Sequence, residues 1–592
     1  MTTPRRPAPS SLPRSLMNVL PFLAASAVLF GPATFLSAQT YEQVAPQTPH
    51  APGSVAAAMP AADAPSNAPD DDRIIIPALR GVIFVADPAA VKPAGIEGAG
   101  VDVSAVPRLD TPAFREKAAA RLGRPLTLAG LKEITRDAVL ALRAADRPVV
   151  DVVAPEQSLA SGTVQLLVTE GRLGQLRAEG NRWFSSEQIE GGVRLAPGGP
   201  ISGSVLLADL AWLNQNPFRQ VDLVFARGAE SGLTDVILRT QDRRPLRVYA
   251  GYDNSGTPLT DDERLFAGVN WGDAFRRGHQ LSYQFTASPD FEKLAAHSAS
   301  YVAPLSWRHT LTVFASHATS QPDIPFFDLE GRSWQVGARY RMPLRPWREV
   351  EQAFVAGFDF KRSDNDLAFG GASVFAQATD IVQAILGYEA SRADARGITS
   401  ASLTVALSPG GGTGRNDDAD HAAARSFADA RYAYARLAIE RSTRLPAGCV
   451  WVARVEGQLA SGNLLGSEQL GFGGAASLRG YDEREANGDS GFVVVNELRG
   501  PALSLARHLG AKNAAADRLV PLVFLDAGVA VISDTLPGEE KTRELLSAGV
   551  GFRYTLAANL VARADYGWQL RDSGVSPTGD NARAHVSATL AW

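Results

Sequence analysis

Residues 334–342 read WQVGARYRM, and apolar side chains alternate there with glycine or polar side chains. Successive side chains of a β-strand point to opposite faces, so one face is apolar and the other polar. The apolar face would carry Trp334, Val336, Ala338, Tyr340 and Met342. The same period recurs in about sixteen segments, each about ten residues long. These segments start near residues 246, 264, 279, 297, 309, 333, 352, 381, 398, 430, 449, 490, 520, 545, 559 and 584.

Two architectures produce this alternation, a soluble β-sandwich and a membrane β-barrel. Sandwich strands are mostly about five to six residues long, whereas about ten tilted residues cross a bilayer. Arg339 and Arg341 lie on the polar face, which suits a water-filled lumen. Trp592 ends a further alternating segment, and a barrel must close its last strand on its first. The pattern favours a 16-stranded transmembrane barrel over residues 244–592.

The composition argues against several classes of protein. The formal net charge is −5, whereas a nucleic-acid-binding protein would show a basic excess or patch. Cys449 is the single cysteine, so no intrachain disulfide can form. The sequence contains no phosphate-binding loop motif, so it gives no indication of ATP use. His297, His309 and His317 lack the spacing of metal ligands, and we predict neither a metal site nor a cofactor.

The N-terminus resembles an export signal. Arg5, Arg6 and Arg14 precede an apolar core at about Leu16–Leu36. We predict a signal peptide at residues 1–38 and a place in the envelope of a Gram-negative bacterium. A buried helix is the alternative, although its position behind arginines at the extreme N-terminus disfavours it.

Residues 39–72 are rich in alanine and proline and predict a flexible linker. The only compact helical stretch within them is Val55–Ala62.

Residues 73–243 combine helical and strand periodicity and predict two small β-α-α-β-β modules, at 73–173 and 174–243. In the first module Thr127 is placed to cap a helix, and strands are predicted at Pro148–Val153 and Thr163–Val168. That helix would bury Leu131, Ile134, Ala138 and Leu142, which recur at helical spacing. In the second module a helix would bury Leu206, Leu210 and Leu213 and end before Asn216-Pro217.

Several short motifs carry a family resemblance. The sequence reads VTEGR at 168–172, LNQNP at 213–217, LRGY at 478–481 and FLDAG at 524–528. In this order, on two modules and a barrel, they resemble the two-partner secretion transporters, the TpsB branch of the Omp85 superfamily, which includes haemolysin secretion/activation proteins. The resemblance implies two POTRA modules. Their motif residues would be Glu170, Gly171, Gly180, Asn181, Asn214, Asn216 and Pro217.

The strand count makes residues 461–489 the sixth external loop, and the resemblance implies that this loop folds into the lumen. Arg479 would then need an acidic partner, because an unpaired buried charge is costly. Asp526 has the lumen-facing parity of its strand, so we predict a bidentate Arg479–Asp526 pair. Gly480 would allow close backbone approach and Tyr481 would pack beside it. An external arginine in water is the alternative.

Residues 488–491 read GDSG, like the nucleophile segment of trypsin-like serine proteases. Such a site also needs a histidine base and an orienting aspartate. The eight histidines are scattered, and none lies in a recognisable histidine-site segment. Asn487-Gly488 is typical of a turn, so we predict no catalytic residue. An outer-membrane enzyme is the alternative that GDSG leaves open.

The resemblance implies a function. POTRA modules would bind an unfolded exoprotein in the periplasm, and the barrel would secrete it without ATP (type Vb secretion). Partners would be an adhesin or haemolysin of the TpsA type, outer-membrane lipid and the barrel assembly machinery, with no nucleic acid. In the family an N-terminal helix plugs the pore, and the matching residues 39–72 are interrupted by prolines. Alternatives are an outer-membrane insertase of the same superfamily and a diffusion porin.

Overall fold

The computed structural model describes residues 40–49, 72–230, 232–324, 327–369, 372–508, 517–574 and 581–592. The predicted signal peptide at 1–38 and the helical stretch Val55–Ala62 lie outside these residues. The chain divides into two compact units. One comprises Met1–Thr48, Arg247–Asn270 and Gln280–Trp592, and the other Pro49–Leu246 and Trp271–His279. Helix α1 (Tyr41–Val44) belongs to the first unit.

The first module is a four-stranded sheet, ordered β3–β2–β6–β5, that is covered by two helices. Its elements are β1 (Ile74–Ile76), β2 (Gly81–Val85), β3 (Gly100–Asp102), α2 (Pro112–Ala119), β4 (Leu126–Thr127), α3 (Leu128–Ala144), β5 (Val150–Val153) and β6 (Thr163–Glu170). The Thr127 hydroxyl accepts a hydrogen bond from the Gly130 amide at 3.0 Å and caps α3. The predicted helix and its four buried positions are therefore confirmed.

The second module is a three-stranded sheet, ordered β7–β9–β8, with two helices. Its elements are β7 (Arg172–Glu179), α4 (Ser186–Glu190), α5 (Gly203–Leu213), β8 (Arg219–Arg227) and β9 (Leu233–Asp242). Leu206, Leu210 and Leu213 of α5 are buried against this sheet, as their spacing predicts. Ser202 caps α5, and its hydroxyl accepts a hydrogen bond from the Val205 amide.

The remaining strands form a closed antiparallel barrel. Strands β22 and β23 are not part of the barrel and form a separate two-stranded sheet. Within the barrel β15 has only two residues, and the other sixteen strands are long. The strands are β10 (Leu246–Asp253), β11 (Arg264–Ala274), β12 (His279–Ala287), β13 (Leu294–Pro304), β14 (Thr310–Ser320), β15 (Asp323–Ile324), β16 (Phe327–Pro343), β17 (Val350–Phe369), β18 (Ala372–Asp394), β19 (Gly397–Pro409), β20 (Arg431–Arg444), β21 (Val450–Ala460), β22 (Leu470–Phe472), β23 (Ala486–Gly488), β24 (Ser490–Arg499), β25 (Asp517–Val531), β26 (Thr542–Leu556), β27 (Leu560–Gln569) and β28 (Ala582–Ala591). Helices α6 (Asp418–Ala424) and α7 (Leu505–His508) lie between strands. The predicted 16-stranded barrel is confirmed.

The barrel closes by pairing β10 with β28. The Trp592 amide donates to the Val248 carbonyl at 2.9 Å, and the Val248 amide donates to the Trp592 carbonyl at 3.2 Å. The predicted alternation of faces is also present on β25. There Val523 and Leu525 are about half exposed, whereas Asp526 is fully buried.

Two features depart from the usual dimensions of a membrane barrel. Strands β16, β17 and β18 have 17, 20 and 23 residues, although about ten tilted residues suffice to cross a bilayer. Backbone pairing continues along the polar run 361–366, which reads KRSDND, so the hairpin extends past its apolar part. The connection between β24 and β25, residues 500–516, is also longer than the short periplasmic turns that are typical of such barrels.

Among the helices of the described residues, none combines the length and the apolar character that crossing a membrane requires.

Candidate functional site

The barrel unit encloses a cavity of about 1300 Å³. Its walls come from the barrel strands, from residues 40–48, here called the N-terminal segment, and from residues 461–489, here called loop 6. Both segments therefore lie inside the barrel. The cavity lining includes charged side chains such as Arg339, Lys361 and Glu483.

Loop 6 has an ordered fold within the lumen. Strands β22 and β23 pair as a short antiparallel ladder. The loop's apolar side chains form a core with residues of the barrel wall. Members of this core are Leu470, Phe472, Leu478, Tyr481, Ala486, Val493, Ala530 and Leu545. This packing holds the LRGY tip at a defined position against the wall.

Arg479 is buried, with 3% of its side chain exposed, and forms a bidentate ion pair with Asp526 of β25. Its Nε donates to Asp526 Oδ2 at 2.8 Å, and its Nη2 donates to Asp526 Oδ1 at 3.0 Å. The guanidinium also lies over the Phe524 ring, 3.7 Å from the ring centroid. The structure thus brings together the two residues that sequence analysis paired.

Further charges around Arg479 were not identified from the sequence. Arg479 Nη1 donates to Glu497 Oε2 of β24 at 2.6 Å and lies 3.8 Å from Asp565 Oδ1 of β27. Arg553 bridges the same two acids, at 3.1 Å and 2.7 Å. Glu497 and Asp565 are buried acids on lumen-facing positions of their strands, and this parity is the signal that could have found them.

Gly480 lies directly against the barrel wall. Its φ is +98°, and a Cβ there would lie 2.9 Å from the carbonyl carbon and oxygen of Gly567. The Gly480 amide donates to His585 Nε2 at 3.1 Å, and its carbonyl accepts from Gln569 Nε2 at 2.8 Å. A side chain at position 480 would prevent this contact.

Tyr481 is fully buried in the loop 6 core. Its hydroxyl lies 2.8 Å from the Leu546 carbonyl and 2.5 Å from the Arg571 carbonyl, and it accepts from the Leu546 amide at 3.1 Å. The three residues of the RGY motif therefore contact five consecutive wall strands, β24 to β28.

The side chains of the GDSG segment hold neighbouring parts of the barrel together. Asp489 is fully buried and forms a bidentate ion pair with Arg425, which precedes β20. Its carboxylate also accepts from the Leu464 amide at 2.9 Å and the Ser533 amide at 3.0 Å. The Ser490 hydroxyl accepts from the Ala460 amide at 3.0 Å. Asp489 thus joins three connections between barrel strands.

The predicted POTRA residues form turns and strand connections within the second unit. Glu170 pairs with Arg147 at 2.8 Å, and the Gly171 amide donates to the Val149 carbonyl. Gly180 has a φ of +83°. The remaining contacts join Asn181 to Phe184, Asn214 to Val221, Asn216 to Gly272, and the Pro217 carbonyl to Arg243. These residues therefore shape the module backbone, and the structure does not bring them to one binding pocket.

The N-terminal segment contacts the lumen face of several strands. The Tyr41 amide donates to Gln335 Oε1 at 3.0 Å, and the Tyr41 ring lies 4.4 Å from the Phe314 ring, between centroids. The Ser298 hydroxyl donates to the Val44 carbonyl at 2.5 Å. The Gln47 amide donates to the Tyr249 hydroxyl at 2.9 Å. The helix α1 in this segment is not predictable from the sequence, because four residues are too few to show periodicity.

In the part of the chain that the structure describes, no three His, Cys, Asp or Glu side chains are grouped so that they could hold a metal ion.

Comparison with known proteins places these features in a family. Residues 232–554 match the family described as haemolysin secretion/activation protein ShlB/FhaC/HecB. Residues 98–171 match the ShlB-type POTRA domain. The first match covers more than half of the chain.

Two curated proteins are similar over most of their length. The hemolysin transporter protein ShlB of Serratia marcescens is 24% identical over 418 residues, which are 69% of this chain and 70% of ShlB. The heme/hemopexin transporter protein HuxB of Haemophilus influenzae is 20% identical over 387 residues, which are 64% of this chain and 67% of HuxB.

Solved structures show the same fold. CdiB from Escherichia coli superposes with a TM-score of 0.68 at 17% identity, covering 90% of this chain and 93% of CdiB. CdiB from Acinetobacter baumannii superposes with a TM-score of 0.60, also at 17% identity, covering 98% of both chains. With the barrel, the modules and the family match together, the chain belongs to the haemolysin secretion/activation protein family ShlB/FhaC/HecB, the outer-membrane transporters of two-partner secretion.

Proposed function

We propose that this chain secretes one unfolded exoprotein through its barrel, and that loop 6 and the N-terminal segment fill the lumen between transport events. The observation that carries the proposal is the Arg479–Asp526 ion pair, which ties a loop in the lumen to the barrel wall through hydrogen bonds rather than a covalent link. Such contacts are reversible. The loop can therefore hold the lumen closed at rest and give way when a client enters.

The periplasmic modules are proposed to receive the client. Strands β5 and β8 each lie at the edge of their sheet in the described residues. An extended peptide can add to such an edge through main-chain hydrogen bonds, which require no particular client sequence. An unfolded exoprotein has backbone N–H and C=O groups available for such hydrogen bonds, whereas a folded protein has already paired these groups within its own structure.

The client is proposed to be an adhesin or haemolysin of the TpsA type, and transport is proposed to need no ATP. Folding of the client outside the cell would supply the direction of transport. Outer-membrane lipid and the barrel assembly machinery are the other proposed partners. We propose no enzymatic activity, because Asp489 and Ser490 accept hydrogen bonds from backbone amides and have no histidine among their hydrogen-bond partners in the described residues.

The test compares the proteins of the culture medium and of the outer membrane, with and without this gene. We expect one large protein to disappear from the medium while the other outer-membrane barrels keep their abundance. A general loss of other barrel proteins would instead establish an insertase. An unchanged medium would contradict export.

Arg479→Ala should leave a folded, heat-modifiable barrel but sharply reduce secretion, because loop 6 would lose the Asp526 contact that holds its tip at a defined position in the conduit. Asp526→Ala should act in the same direction. Secretion is measured as exoprotein in the medium relative to folded barrel. Arg332→Ala is the matched control, since Arg332 pairs with Glu330 on its own strand, at an exposed position. Normal secretion by Arg479→Ala and Asp526→Ala would contradict the proposed lock.

A further inference from the structure

A second buried carboxylate of loop 6 contacts a different part of the barrel wall. The Glu468 side chain is completely buried and lies eleven positions before Arg479 in the sequence. Lys361 Nζ of β17 lies 2.7 Å from Glu468 Oε1. Gln383 Nε2 of β18 and the Tyr434 hydroxyl of β20 each donate to Glu468 Oε2 at 3.0 Å. Three wall strands therefore supply hydrogen-bond donors to one loop residue.

The two contacts lie on opposite sides of the strands from which loop 6 emerges. Loop 6 connects β21 to β24, which are neighbours in the barrel. Arg479 contacts β24, β25 and β27 on one side. Glu468 contacts β17, β18 and β20 on the other. The loop is thus fastened to both flanks of the lumen.

The Glu468 carboxylate is fully hydrogen-bonded and has its own cation. Both carboxylate oxygens have two donors, because the Ser467 hydroxyl also donates to Oε1 at 2.9 Å. The nearby Asp359 carboxylate is neutralised by Arg339, with two hydrogen bonds of 2.8 Å. Lys361 is therefore available to pair with Glu468. Removing one partner of such a buried, fully hydrogen-bonded ion pair is costly, because the other charge is left unpaired.

We propose that Glu468 and Lys361 form a second anchor of loop 6, so that the lumen opens only when this anchor and the Arg479 anchor are both released. Glu468 is then a positioning residue for transport, and this inference rests on the proposed function. The Arg479 anchor holds the tip of the loop, whereas the Glu468 anchor holds its first half. A client that displaces only the tip would leave the Glu468 side of the lumen obstructed.

The test measures channel openings of the purified full-length protein in planar lipid bilayers, which requires no client. Glu468→Gln should raise the frequency of large openings about tenfold, because it weakens the closed state relative to the open one. Tyr434→Phe removes one donor to Glu468 and should raise the frequency less, in the same direction. Heat-modifiability on gels shows that each variant is folded, and Tyr434→Phe decides the question if Glu468→Gln does not fold.

Two further variants separate anchoring from other effects. Glu389→Gln breaks the Arg341–Glu389 pair, a 2.7 Å contact between two wall strands that does not involve loop 6. Its frequency of large openings should equal that of the wild type. The double variant Lys361→Met/Glu468→Gln removes both charges. It should open as often as Glu468→Gln, because the anchor is still absent.

Two results would overturn the second anchor. One is a folded Glu468→Gln that opens no more often than Glu389→Gln. The other is a return of the double variant to wild-type behaviour, which would mean that an uncompensated charge caused the effect. Neither result bears on whether an exoprotein is secreted, which the comparison of culture media tests separately.

Discussion

At the scale of single residues, the lumen site depends on charges and on one glycine whose neighbours come from distant parts of the chain. Arg479 meets Glu497, Asp526 and Asp565, and Gly480 meets Gly567. The contact between Gly480 and Gly567 is close because neither residue has a side chain. It fixes the distance between loop tip and wall, and so it sets the geometry in which the Arg479 ion pairs form.

Gly480→Ala should therefore weaken the loop tip even though every charge is kept. Alanine in a left-handed conformation costs about 1–2 kcal/mol, and its Cβ would also press on the Gly567 carbonyl. We expect secretion to fall towards the level of Arg479→Ala, measured as exoprotein per folded barrel. Gly462→Ala is the matched control, because apart from its own chain neighbours no residue has an atom within 4 Å of a Cβ at that loop position. Equal secretion by the two alanine variants would show that the close approach does not matter.

At the scale of structural elements, buried or half-buried aspartates join segments that lie outside the long strands and helices. Asp489 connects the segment before β20, the start of loop 6 and the connection after β25, through Arg425, the Leu464 amide and the Ser533 amide. Asp146 connects the end of α3 to the start of α5 through Ser202 and Ser204. Removal of either charge should loosen a junction while leaving the joined elements intact.

Asp489→Asn should destabilise the folded barrel by about 3 kcal/mol, because Arg425 would lose its buried charge partner. Ser490→Ala should cost about 1 kcal/mol or less, since only the hydrogen bond to the Ala460 amide is lost. Urea unfolding in lipid vesicles measures both values. A larger effect for Ser490→Ala than for Asp489→Asn would contradict the structural role of the GDSG segment, and loss of secretion confined to Ser490→Ala would reopen the question of catalysis.

The junction at Asp146 should depend on pH. Burial raises the pKa of Asp146, but hydrogen bonds from Ser202 and Ser204 outweigh burial and keep the pKa below its usual value. A carboxyl whose pKa is lower in the folded state stabilises the fold above its unfolded pKa of about 4 and loses this contribution as the pH falls through the folded pKa. Hydrogen exchange at the start of α5, corrected for intrinsic rates, should accelerate below about pH 4. Asp146→Asn should remove this acid-induced change, and an unchanged acid response would contradict the assignment.

At the scale of the whole molecule, period-two alternation predicted the barrel, since strand parity is a local property of the sequence. The same parity identified Asp526 as the partner of Arg479. It did not identify Glu468 and Lys361, because 107 positions separate them and only the folded loop brings them together. Helix α1 was missed for a related reason, since a four-residue helix is held by contacts with the lumen wall rather than by its own periodicity.

The loop fastened across the lumen also bears on the permeability of the cell envelope. An outer membrane protects the cell only if its wide barrels do not leak, and a sixteen-stranded barrel without its internal loop would leave an aqueous channel. Weakening the contacts of Arg479 should therefore sensitise cells to bulky polar antibiotics that normally stay outside, even in cells that lack any exoprotein. The buried arginine that serves transport would then also serve as a seal against toxic solutes.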